Sequence, residues 1–62
     1  MKDLTQIDNV VTYMKESLSE KDWNDRSDKV KEANGNEYPG FWFMEIVMSG
    51  LRYDTALKWK YK

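Results

Sequence analysis

The sequence predicts an all-α fold, a small bundle of three main helices (about residues 5–18, 20–33 and 40–49) with a short fourth over about 54–61. Three observations predict it. Leu4, Ile7, Val10, Val11, Met14 and Leu18 recur at the spacing that puts side chains on one helical face. Asn34-Gly35-Asn36, Tyr38-Pro39-Gly40 and Gly50 divide the remainder at points where helices stop or start. The most hydrophobic run, Phe41 to Met48, has no second β-rich run to pair with as a strand.

In the first helix Thr5 followed by Asp8 resembles a capping box, although Asp reaches back less well than Glu. Asn9, Thr12 and Glu16 fall on its outer face, and Tyr13 lies off the apolar stripe. Ser19 followed by Asp22 repeats the capping signal, and Trp23 is out of phase with the first stripe. A new helix pointing elsewhere explains both facts; the rival is one long bent helix to Ala33. The second helix has a thin apolar stripe of Trp23, Val30 and Ala33, so Trp23 is its expected anchor. Its charged residues alternate in sign, as on a solvated face. Asn34-Gly35-Asn36 suits a left-handed cap.

The third helix is the expected hub. Seven of the eight residues from Phe41 to Met48 are apolar. At about 100° per residue, Glu45, Ser49 and Arg52 form a narrow polar line. Phe43, Met44, Ile46 and Val47 point away from that line and are expected deep in the core. Phe41, Trp42 and Met48 lie on its shoulders, where they either pack under neighbouring helices or form a contact patch. Asp54 is a candidate cap for the last helix, whose inner face would be Ala56, Leu57 and Trp59.

Composition narrows the functional classes. A chain of 62 residues makes one domain, residues 1–62, of a size at which the core is marginal. Without Cys there is no disulfide framework, and without His the commonest general base and metal ligand is missing. A net charge of −1 argues against broad nucleic-acid binding. The amino terminus lacks a signal peptide's apolar segment, so cytoplasmic residence is expected.

Candidate chemistry is sparse. Asp22, Asp25 and Asp28 step along one helix among Lys21, Arg26 and Lys29, which reads as a solvated face rather than an acid–base pair. No calcium loop, nucleophile elbow, phosphate loop or dinucleotide fingerprint occurs. A helical domain this small is expected to lack room beside its core for a typical ligand pocket of roughly 300–1,000 Å³. The expectation is a non-enzyme without cofactor or metal.

The leading expectation is a small regulatory or accessory module that binds a protein partner, or a second copy of itself, through Phe41, Trp42 and Met48, with Tyr38 and Tyr53 as rim. The alternative is DNA binding. Glu45 to Trp59 has Gly50 at a turn and resembles a helix-turn-helix, in which Arg52, Tyr53, Asp54 and Lys58 would face the major groove and Lys60 would add charge. Glu45 and Ser49 depart from that pattern by standing where such motifs bury apolar side chains. A lipid surface is a third reading for Trp59, Tyr61 and the terminal lysines, but the tail is too short and too weakly apolar for strong membrane binding.

Overall fold

The sequence signals resolve into an all-α bundle in the computed structural model, which describes residues 3–60. The elements in order are α1 (Ile7–Lys15), α2 (Glu20–Ala33), a π-helix (Phe43–Met48) and α3 (Leu51–Lys60), with no strand among the described residues. The expected helix end at residue 61, and Tyr61 itself, lie outside the described residues.

α1 is shorter than the periodicity implies. Thr5 stays outside it because its N–H and hydroxyl donate to Asp3 Oδ1 at 2.9 and 2.5 Å, a local turn that competes with capping. Gln6 occupies the cap position without a side-chain bond. After Lys15 the chain breaks. The Ser17 hydroxyl is buried and donates to the Met14 carbonyl at 2.7 Å, and Leu18 falls off the apolar stripe into solvent.

α2 therefore starts afresh rather than extending α1. The Ser19 hydroxyl accepts from the Asp22 N–H at 3.1 Å, and Asp22 Oδ2 accepts from the Leu18 N–H at 2.9 Å. This is a capping box whose return arm reaches one residue further back than usual. Trp23, Ser27 and Val30 face inward, while Ala33 is exposed. Gly35 (φ 75°) and Asn36 (φ 65°) supply the left-handed turn after α2. The Asn34 amide locks that end by donating to the carbonyls of Val30 at 2.8 Å and Leu4 at 3.0 Å.

α3 begins directly after Gly50 (φ 81°), three residues before the expected Asp54 cap. The earlier start sets its phase. Leu51 and Thr55 are buried, Trp59 packs one turn further on, and Ala56 and Leu57 are half-buried beside this line rather than at its centre. Trp59 Nε1 donates to the Ser17 carbonyl at 2.9 Å, and its ring meets Trp23 edge-on at 6.4 Å. The core is Leu4, Val10, Met14, Trp23, Val30, Ile46 and Leu51, with Val11, Tyr13, Phe41, Trp42 and Trp59 packed against it. Within it the buried Thr55 hydroxyl has no hydrogen-bond partner among the described residues.

The third helix is turned over relative to expectation. Only Ile46 is buried; Phe43, Met44 and Val47, expected in the deep core, are 59%, 63% and 52% exposed. Winding and packing together explain the difference. The Ser49 N–H bonds the Met44 carbonyl at 3.0 Å, five residues back. The Glu45 carbonyl, which an α-helix would pair with that N–H, takes the Ser49 hydroxyl instead. Such a turn holds about 4.4 residues and steps roughly 80° per residue; Ile46 is buried, and Phe41 and Trp42, which precede the π-helix, pack against the core with it. These three make the inward face. The molecule measures 34 × 22 × 16 Å. No described element covers the other side, where Phe43, Met44, Val47 and Met48 remain exposed.

Candidate functional site

The opposite face of the π-helix carries Phe43, Met44, Val47 and Met48, which fall within an arc of roughly 115° at the same step. Met48 is 63% exposed, like its neighbours, and none of the four bears a charge. The polar residues of this segment sit to one side. Glu45 and Ser49 line a cleft of about 250 Å³ with Val11, Lys15, Leu51 and Asp54, so the expected solvent-facing line is lateral and the apolar quartet faces out.

The sequence-derived patch residues divide between two environments. Met48 and Tyr53 are exposed. Phe41 and Trp42 are half-buried and packed on the core. Tyr38 stacks on Trp42 with ring centroids 4.6 Å apart, and its hydroxyl accepts from Ser27 Oγ at 3.0 Å while Lys31 Nζ lies 5.5 Å from its ring. Tyr38 and Trp42 thus brace the π-helix against α2. Phe43, Met44 and Val47 were missed as surface residues because α periodicity assigns them inward; the signal that could have found them is the count of large apolar residues against the few that so small a bundle can enclose.

The residues of the DNA reading also divide. Arg52 is half-buried. Its guanidinium lies 5.0 Å from the Trp59 ring, 5.5 Å from the Trp23 ring and 3.7 Å from Glu20 Oε1. Tyr53, Asp54, Lys58 and Lys60 are exposed on α3. Only Ser49 and Gly50 separate the π-helix from α3, shorter than the usual turn of about three or four residues in a helix-turn-helix.

The helix-2 acids are not all alike. Asp25 pairs with Lys21 at 3.3 Å on an open surface. Asp22, by contrast, holds the Leu18 N–H and accepts from Arg26 Nε at 3.2 Å. The bond from Leu18, followed by the charge of Arg26, keeps its carboxyl below the ordinary carboxylate range. Arg26 reaches across to the Tyr13 carbonyl at 2.7 Å and lies over the Tyr13 ring at 4.7 Å, joining α2 to α1.

The expectation that the chain lacks pocket volume is corrected. An open groove of about 830 Å³ runs along α1 and α2, lined by Leu4, Tyr13, Glu16, Arg26, Lys29 and Ala33 among others. Among the described residues no group of three or more acids could hold a metal ion, and no helix is long and apolar enough to cross a membrane. Comparison of the chain with protein-family models, with curated proteins and with solved structures finds no match.

Proposed function

We propose that the chain is a non-catalytic, protein-binding module of regulatory or accessory type that presents the outer face of its π-helix to a partner. The single observation that carries this reading is the adjacency of four large apolar side chains, each more than half exposed, on one face of a braced helix. Scattered exposed hydrophobics are ordinary, whereas a contiguous apolar set marks an interaction surface. The contact residues are Phe43, Met44, Val47 and Met48; Phe41 and Trp42 support them from beneath and Tyr38 holds Trp42.

Arg52 weighs against the DNA reading. A guanidinium occupied by two indoles and a carboxylate is poorly placed to read guanine, which leaves Lys58 and Lys60 as phosphate contacts without a base reader.

The test is affinity capture with wild type beside Met44→Ser/Val47→Ser. Both positions are exposed, so circular dichroism should match wild type while partner retention falls at least about tenfold. Equal retention by the folded variant would remove the reading. Trp42→Ala is a poorer probe, because it also takes away the Tyr38 stack and part of the core.

A further inference from the structure

We infer that the occupant of the π-helix face is a second copy of this chain, docked through the same face about a two-fold axis. The inference rests on the reading of that face as a protein-binding surface and names the partner. Three observations favour a copy over other occupants.

The first is charge. A two-fold contact sets each residue of a surface against that same surface, so a charged face would repel itself. Phe43, Met44, Val47 and Met48 carry none, and the one charge of the segment, Glu45, is displaced into the lateral cleft beside Lys15 and Asp54. A lipid surface is disfavoured by the same facts, since the segment has no basic residue to meet anionic headgroups.

The second is area. Four side chains more than half exposed offer roughly 400 Å² per copy, so two copies bring together about 800 Å² of mainly apolar surface. A stable contact of standard size buries about 1,600 Å² in total, a little over half of it non-polar. The quartet thus supplies close to the apolar centre of such a contact, and the surrounding surface supplies the rim.

The third is shape. The quartet is not part of the lining of either cleft described above, and it lies together on one exposed helical face. A convex helical ridge packs well against another helical ridge and groove.

The test is sedimentation velocity with light scattering on the full chain, from about 1 μM to about 500 μM, for wild type and Met44→Glu/Val47→Glu. Because the chain has no Cys, single substitutions report proximity cleanly: Val47→Cys on the quartet and Glu45→Cys in the lateral cleft, each under mild oxidation. The expected result is a wild-type dimer whose dissociation constant rises at least about thirtyfold in the double variant, with the helical spectrum unchanged. Val47→Cys should form disulfide dimers several-fold faster than Glu45→Cys. A folded wild type that stays monomeric throughout, with or without co-sedimentation with anionic vesicles, overturns the inference. A dimer that survives Met44→Glu/Val47→Glu, or equal cross-linking from both cysteines, overturns it as well. If wild type is monomeric while the serine variant loses a captured partner, the second-copy inference falls and the protein-binding reading stands.

Discussion

Replacing Arg52 by Ala separates a structural arginine from a nucleic-acid contact, and the structure sets the size of the effect. The guanidinium faces two indole rings, Trp59 at 5.0 Å and Trp23 at 5.5 Å. At a half-exposed site each such contact contributes about 0.5–1 kcal/mol. The 3.7 Å approach to Glu20 is long, and the Glu20 side chain is largely in water, so the ion pair adds about 0–0.5 kcal/mol. Ala is the better helix former by a few tenths of a kcal/mol, which offsets part of the loss. The net cost is about 1.5 kcal/mol, equivalent to a fall in Tm of roughly 10 °C for a domain of this size. Urea titration followed by indole fluorescence and far-UV circular dichroism measures it directly. Glu20→Gln should stay within about 0.5 kcal/mol of wild type, and Arg52→Lys should fall between because it keeps the charge and loses the planar stack. An Arg52→Ala midpoint indistinguishable from wild type would refute the indole–guanidinium–indole clamp and return Arg52 to the surface.

Four other outcomes follow from the geometry. Ile46→Ala should cost about 2–4 kcal/mol and Met44→Ala less than about 0.5 by thermal and urea unfolding, whereas α periodicity predicts both to be costly; equal costs would contradict the exposed face. Gly50→Ala should cost about 1 kcal/mol from backbone conformation alone, since φ is 81° and nothing lies within 4 Å of an added Cβ, with Gly50→Asn recovering part; an unchanged urea midpoint for Gly50→Ala would count against the left-handed turn. Thr55→Val removes a buried hydroxyl without a partner and should be neutral or stabilising by up to about 1 kcal/mol, whereas a clear loss in the same assay would mean that the hydroxyl is bonded. Because the folded Asp22 carboxyl titrates below its unfolded value of about 3.9, its contribution is complete above that pH and is lost as pH falls through the lower folded value. Asp22→Asn should therefore flatten the acid limb of a stability–pH curve below about pH 4, and an acid limb identical to wild type would show that the bond from Leu18 does not bias the carboxyl.

Local signals carry their information within a few residues, which is why α2 was legible from Glu20 to Ala33. Ser19, Asp22 and the Asn34-Gly35-Asn36 cap all act through bonds to their own neighbours. Trp23 was legible as an anchor because it is the one large apolar residue of a charged helix. The phase of α3 was misread because Asp54 looked like a cap, while the turn is made four residues earlier by Gly50.

The amino-acid sequence by itself determined that this protein is helical, where α2 begins and ends, and that Trp23 and Ile46 belong to the core. Tertiary structure decided which side of the third helix meets water. An apolar run with one polar line has no intrinsic inside, because its hydrophobic residues cover most of its circumference and burial is non-directional. The choice fell to the π turn at Ser49, to Tyr38 stacking on Trp42, and to the packing of Ile46, Phe41 and Trp42 on the core.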